Sequence, residues 1–319
     1  NLDSEDEGDL YIGCAGGVDT NVQFKCEQQR VAMGSAAFKI SLQGLRGGHS
    51  GLDIHLGRGN ACLIMNSVLQ AAARTFGLRL SASVAGNLRN AIPREAFATV
   101  VVPQVEREGF LRFIGEEKAN LQRSLHTSDP DAVLSCEEVD LPEYNLDSES
   151  QTNLFGAVAD CPNGVIARIE GRPEVVETSS NLASLRSEGG TVSIACLTRS
   201  AVNAERYAVA RRISEVFHRY NARVEQKGAY PGWQPDSKSP ILSTMKRVYQ
   251  EKFGTVPEQK IIHAGLECGI LGATYPHWDM ISFGPTIRNP HSPGEKVHIK
   301  SVNKFWDYLL ATLEKAPAR

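Results

Sequence analysis

The sequence predicts an α/β domain interrupted by a two-layer α+β domain. Three observations carry this reading. Two successive sets of strand-like and helix-like segments lie between residues 17 and 226. Gly228, Pro231, Gly232, Pro235 and Pro240 then cluster as a boundary. Beyond them, short strand-like runs alternate with helical ones, as in an α/β layer. The expected organisation is therefore 1–16 with 227–319 as one domain and 17–226 as the inserted one. A chain of 319 residues with 41% hydrophobic and 22% charged residues can hold two such globular cores.

The elements follow in order. Residues 1–16 read as the end of one strand, an acidic loop (Ser4-Glu5-Asp6-Glu7-Gly8-Asp9) and a second strand. The chain opens on Asn1-Leu2-Asp3 without Met, so the reading expects further sequence upstream. Thr20 to Ile40 reads as extended. Phe38 to Leu42 alternates as a half-buried strand should, and Asn60 to Leu69 places Leu63, Ile64, Val68 and Leu69 at helical spacing. Gly44 to His55 joins the two. Leu78–Val84, Ala96–Val102 and Ala132–Val139 read as strands around a turn at 85–93 and a helix over Val105–Leu125. The second set comprises a helix at Glu149–Ala159, extended chain at Glu174–Leu185, a strand at Thr191–Leu197 and a helix at Ala204–Ala222. After the boundary come a helix at Ile241–Phe253, a strand at Gln259–Ile262, a helical turn at Leu266–Leu271, a strand at Met280–Phe283 and a closing helix at Val302–Leu313.

Composition excludes some classes. A formal net charge of −3 gives no electrostatic case for nucleic acid or an anionic membrane. No apolar run reaches spanning length. Seven widely spaced cysteines without a C-x-x-C read as buried free thiols in a reducing, cytoplasmic setting.

Few residues could carry chemistry. Gly47-Gly48-His49-Ser50-Gly51 sets a histidine, able to exchange a proton near neutral pH, in a glycine-rich turn. Asn90, in Arg89-Asn90-Ala91-Ile92-Pro93, could donate to a carbonyl oxygen or merely hold its turn. Arg199 ends a strand, and a guanidinium there suits a terminal carboxylate; an ordinary surface Arg fits the local evidence as well. Gly265, in His263-Ala264-Gly265-Leu266-Glu267-Cys268-Gly269, could present backbone amides. Asp3 lies in an acidic loop. His291 sits in a Pro-rich loop before Glu295, which could orient it or cap the next segment. His277-Trp278-Asp279, Glu116-Glu117 and Glu137-Glu138 lack the contexts that metal chemistry would need, and read as structure.

Six stretches resemble, in order, the aminoacyl-histidine dipeptidases: 1–8, 12–17, 44–55, 87–96, 263–269 and 284–295. These belong to the dinuclear-zinc metallopeptidases that include carboxypeptidase G and aminoacylase. The resemblance implies a catalytic α/β domain holding two zinc ions, with manganese or cobalt as possible substitutes, and an inserted lid or dimerisation domain. It implies that Asp3 ligates one metal and His291 the other. It implies that His49, Asn90 and Arg199 hold the scissile carbonyl and the substrate carboxylate, and that Gly265 touches substrate through its backbone. A homodimer and Xaa-His dipeptide substrates, β-alanyl-histidine among them, follow from the same source. The family's H-x-D, bridging Asp and Glu-Glu pair lie upstream of Asp3. The resemblance therefore covers the family's C-terminal portion, with a partial catalytic domain, and implies that this polypeptide alone is inactive. Gly294 and Asn289-Pro290 depart from the family's usual residues around His291. The competing reading is a non-catalytic module that dimerises or binds peptides.

Overall fold

The structure, a computed structural model, describes residues 1–288 and 294–316. In chain order its strands are β1 (Asp9–Cys14), β2 (Gly16–Lys25), β3 (Gln28–Arg30), β4 (Ser35–Gln43), β5 (Gly48–His49), β6 (Arg79–Ala85), β7 (Ala91–Ile92), β8 (Ala96–Pro103) and β9 (Val133–Val139). There follow β10 (Tyr144–Leu146), β11 (Gly164–Ile169), β12 (Arg172–Glu188), β13 (Thr191–Ser200), β14 (Arg223–Tyr230), β15 (Glu258–Ile262), β16 (Ile287–Arg288) and β17 (Lys296–Val297). The helices are α1 (Ala61–Phe76), α2 (Arg107–Ser124), α3 (Ser148–Asp160), α4 (Asn203–Arg219), α5 (Pro240–Phe253), α6 (Glu267–Thr274) and α7 (Ile299–Lys315). The chain divides into two compact units. One comprises Asn1–Gly17, Ser200–Asn203 and Tyr230–Arg319; the other comprises Val18–Arg199 and Ala204–Ala229.

The larger unit is built on a nine-stranded sheet of order β14-β2-β13-β12-β6-β8-β4-β9, with β11 paired to β12. Strand alternation fixes its two faces. In β4, Ala36, Phe38, Ile40 and Leu42 join the core, while Lys39 and Gln43 are exposed. Residues of α1, α2, α3 and α4 enter the same core, among them Met65, Phe110, Leu154 and Ile213. Each fully buried Leu, Ile or Phe contributes about 1.5–3 kcal/mol relative to exposure. Helix α1 starts where Asn60 Oδ1 accepts from Cys62 N (3.0 Å) and Leu63 N (3.4 Å). It ends at Gly77 in the left-handed region. The same Asn60 donates through Nδ2 to Leu182 O (2.9 Å), so one cap also ties α1 to β12.

The smaller unit has a parallel pair, β1 with β15, running from Asp9↔Glu258 to Cys14↔Ile262. Every residue of β1 is buried, as expected of a strand covered on both faces. Leu10 and Ile12 pack with Leu242, Met245 and Val248 of α5, with Ile281 and Phe283, and with Tyr308 of α7. Tyr249, Phe253 and Tyr308 form an edge-to-face group there. Ser239 caps α5 and Pro240 opens it.

Three local expectations differ from the structure. Met280–Phe283 is not a strand: Ser282 alone bridges, to Tyr11. Residues 1–5 are not in a strand either, although Asn1 N donates to Ile281 O (3.0 Å) and Asn1 O accepts from Phe283 N (3.2 Å), a strand-like exchange one residue long. In the 85–93 turn, Ala91 and Ile92 form the short strand β7 against β5. All seven cysteines are free; six are buried and Cys136 is half-buried.

Candidate active site

The connection from β4 to α1 is shaped by its ends. Gly44 takes φ +80°, and a Cβ there would lie 2.0 Å from Asp131 O. Gly48 takes φ +136°, with the Asp53 carboxylate where a side chain would begin. The buried Asp129 accepts from Arg46 N (2.9 Å) through one oxygen and from Gly59 N (2.8 Å) through the other. One carboxylate thus anchors both ends of the segment that presents His49.

Within that segment, β5 and β7 pair as Gly48↔Ile92 and His49↔Ala91. His49 N donates to Asp53 Oδ2 (2.8 Å), and Asp53 lies 3.6 Å from the Arg58 guanidinium. The His49 ring is fixed by its own loop. Nδ1 accepts from Gly51 N (3.2 Å) and Leu52 N (3.0 Å). A nitrogen that accepts two amide hydrogens carries none itself, so the neutral ring holds its proton on Nε2. Burial, then the Arg199 charge, pull the His49 pKa down to about 4 against an opposing pull from Asp53. At neutral pH His49 is a neutral Nε2–H donor.

Ser50 links the remaining groups. Its N donates to Asn90 O (2.8 Å), and its Oγ accepts from Arg199 Nε (3.4 Å). Arg199 is 5% exposed, near the end of β13. The Asn90 side chain is exposed, on backbone steadied by Asn181 Nδ2, which donates to Ala91 O (2.8 Å) and Arg89 O (3.4 Å). Arg89 pairs with Asp19 (3.4 Å) and donates to Asn21 Oδ1 (2.7 Å). Burial raises the Asp19 pKa, although Arg89 and Arg199 oppose it. The larger unit therefore gathers a neutral hydrogen-bond donor, an exposed carboxamide and a buried guanidinium around one serine. Such a set can polarise a carbonyl and receive a carboxylate.

The other candidates belong to the smaller unit. Asp3 is exposed, and its N donates to Asn1 Oδ1 (2.7 Å). Asn1 Nδ2 donates to Glu267 Oε2, two residues after Gly265. The Asn1 side chain thus connects the Asp3 turn to the Gly265 turn. Gly265 is exposed, and a Cβ on it would lie 3.0 Å from the Tyr230 ring. His291 lies outside the described residues, and Glu295 is exposed. Asp279 of the H-x-D triplet accepts from Ser239 Oγ and Ile241 N at the start of α5. Glu137 and Glu138 face Lys39 (3.6 Å) and Arg107 (2.6 Å). All three acids act as structure. Among the described residues no group of three or more His, Cys, Asp or Glu is placed to hold a metal ion.

Sequence reasoning did not single out Asp129, Asp53, Ser50 as a hub, Asn181, Arg89 or Asp19. One signal was available for Asn181: Thr178-Ser179-Ser180-Asn181 is a polar run inside a long strand, and all four are buried. Buried polar groups need partners, so such a run marks a face with work other than packing.

No family model matches the chain. It is 39% identical over 319 residues to the cytosol non-specific dipeptidase of Escherichia coli strain K12, a match covering all of this chain and 66% of that protein. The crystal structure of aminoacylhistidine dipeptidase from Vibrio alginolyticus is similar at 40% identity with a TM-score of 0.94, covering 100% of this chain and 65% of that one. The aminopeptidase PepT of Bacillus cereus shares the fold alone, at 14% identity and a TM-score of 0.50, covering 98% and 55%. The chain thus spans about two thirds of the length of the first two relatives. No helix among the described residues is long and apolar enough to cross a membrane.

Proposed function

Since the chain belongs to the family of the aminoacyl-histidine (cytosol non-specific) dipeptidases, we propose that it contributes the substrate-holding part of an enzyme that hydrolyses dipeptides, Xaa-His and β-alanyl-histidine among them. One observation carries the reading: Ser50 joins a neutral Nε2–H donor, His49, to a buried guanidinium, Arg199. As water adds to the peptide carbonyl, negative charge develops on its oxygen. His49 Nε2–H donates to that oxygen, and a donor so placed contributes on the order of 100- to 1000-fold in rate. Because the ring enters neutral, it stabilises the charge without a prior proton loss. Arg199 receives the C-terminal carboxylate, which limits the length of peptide that fits. Asn90 offers its amide to the substrate, and Gly265 its backbone.

The complete enzyme, on this reading, uses two zinc ions, which supply Lewis acidity and an activated water. Asp3 and His291 would be this chain's ligands. The described residues do not compose such a site by themselves: Asp3 stands exposed, with no metal-competent group of three around it. The 319 residues alone are proposed to be inactive. The unit of Val18–Arg199 and Ala204–Ala229 serves as the lid and dimerisation domain of a cytoplasmic homodimer.

The test is binding rather than turnover. The 319-residue chain is titrated with β-alanyl-histidine and with its C-terminal amide while the His49 and Arg199 side-chain resonances are followed. The expected result is that the acid shifts both resonances, that the amide binds at least about tenfold more weakly, and that Arg199→Met removes the difference. Equal binding of acid and amide would overturn Arg199's role. Hydrolysis by the purified chain with zinc would overturn its inactivity alone.

A further inference from the structure

The turn that fixes the His49 ring has one apolar foot. Of residues 52–58 only Ile54 is buried. It does not enter the main core of the larger unit. It packs instead with Ile92 of β7, Val176 of β12 and Val165 of β11, in a separate apolar patch. Ile92 pairs directly with Gly48, beside His49. Between His49 and Ile54 the backbone closes on itself: Asp53 N donates to His49 O (3.0 Å) and Ile54 N to Gly51 O (3.4 Å). The Gly51 and Leu52 amides that meet His49 Nδ1 lie inside this closed turn. Where Ile54 sits therefore decides where those amides sit.

The other half of the patch belongs to the β11–β12 hairpin, which is irregular where it forms it. The pairing shifts register between Val165 and Ala167, between Ala167 and Arg168, and between Arg168 and Ile169. Shifts of this kind bend a strand and re-aim its side chains. Strand β12 also holds β7 by a polar contact, from Asn181 Nδ2 to Ala91 O (2.8 Å). We propose that the β11–β12 hairpin is the positioning element for His49, with Val176 and Ile54 as positioning residues. The hairpin seats Ile54, and the seated turn keeps the Gly51 and Leu52 amides on Nδ1, so that Nε2–H is held in one direction; the dipeptidase reading is needed only for what that donor meets. The hairpin's own charges are engaged within it or stand in solvent. Arg168 donates to Pro173 O (2.7 Å), Arg172 pairs with Glu174 (3.2 Å), Glu177 accepts from Thr178 Oγ1 (3.3 Å), and Glu170 is exposed at its turn. The charges that act on the His49 ring are Arg199 and Asp53. Truncating Val176 removes none of these, so a change at His49 reports lost position and burial rather than a lost charge.

The test follows His49 by NMR in the 319-residue chain, through its titration, its ring-nitrogen shifts and the exchange of the Gly51 and Leu52 amides. Val176→Ala and Ile54→Ala cut the patch from its two sides. Each is expected to move the midpoint up from about 4 toward 6.5 and to add Nδ1–H tautomer at neutral pH. Each should also speed exchange of both amides at least about tenfold. Val176→Ile, which keeps the contact, should retain the parent behaviour. Val68→Ala opens a cavity in the main core instead. It should lower the unfolding midpoint and leave all three readings unchanged. Circular dichroism checks that each variant is folded, and Val176→Thr, which keeps the shape of the side chain, repeats the test should an alanine variant unfold. Folded variants in which His49 keeps its midpoint, tautomer and amide protection would overturn the proposal. So would Val68→Ala moving them equally. If His49 moves as expected but β-alanyl-histidine binds the variants as tightly as the parent chain, the positioning stands and His49's part in the functional reading falls.

Discussion

Asp129→Ala should be among the most damaging single changes in the larger unit. Asp129 is 1% exposed, and its two oxygens accept from Arg46 N at 2.9 Å and from Gly59 N at 2.8 Å. A hydrogen bond to a charged group contributes about 1.5–3 kcal/mol net, and the Gly59 amide, buried and left unpaired, adds its own desolvation cost. The expected loss is about 3–5 kcal/mol, a large share of the roughly 5–15 kcal/mol that holds a typical domain. Urea unfolding followed by circular dichroism reads it as a lower midpoint. Amide exchange locates it: residues 46–59 should open first, with His49 among them, while β4 and α1 keep their protection. Asp129→Asn should cost about half as much, because one acceptor remains while the amide group meets an N–H. A loss below about 1 kcal/mol with unchanged exchange at Arg46 and Gly59 would refute the anchoring argument.

Other outcomes follow from single residues. His49 should titrate near pH 4 by NMR, with its nitrogen shifts reporting the Nε2–H tautomer at neutral pH. Its depressed pKa favours folding fully above the unfolded value of 6.5, and that contribution drains away as pH falls from 6.5 toward 4; a midpoint near 6.5 would contradict it. Gly44→Ala should cost about 2–4 kcal/mol, since Asp131 O cannot retreat from a Cβ 2.0 Å away, whereas Gly34→Ala, at φ +74° with nothing within 4 Å, should cost only about 1 kcal/mol. In a complete active enzyme, His49→Ala should lower kcat about 100-fold or more with KM little changed; an unchanged kcat would remove its oxyanion role.

What the sequence displayed and what it hid divide along physical lines. Strand β4 was legible because one of its faces is buried, so apolar residues fall on alternate positions. Helix α1 was legible because Asn60 caps it and its apolar positions repeat at helical spacing. Strands β11 and β14 were not. Every residue of β11 is half-buried or exposed, and β14 is mostly exposed, so neither carries a period. The run Met280–Phe283 misled in the opposite direction: Ile281 and Phe283 are apolar because they face a core, while only Ser282 finds a ladder partner. In the candidate site, the glycines around His49 were visible because backbone demands leave a local mark, whereas the role proposed for His49 came from the family resemblance. Asp129 was not visible: its partners lie 83 and 70 residues away, and nothing near it in sequence announces them.

The groups of the larger unit are therefore held by two different kinds of force. Arg199 owes its place to strand parity. Val192, Ile194 and Cys196 send their side chains into the core, so Arg199, an odd number of positions on, takes the opposite face. Asp19 and Asn21 stand in the same relation to Val22 and Phe24 on β2. To move any of these by one residue would drive a charge or, for Asn21, a carboxamide into the core, so their positions are as rigid as the packing beneath them. His49 has no such support. Its ring is held by the Gly51 and Leu52 amides and its backbone N–H by the Asp53 carboxylate, in a loop tied at Arg46 and Gly59 by Asp129 and whose residues Leu52, His55 and Leu56 face solvent. Polar tethers in contact with water open at lower free energy than a buried sheet. Thus, on the proposed reading, the Arg199 end of the site, which would receive the carboxylate, is held by the sheet, and the His49 end, which would meet the carbonyl, is the part that can yield.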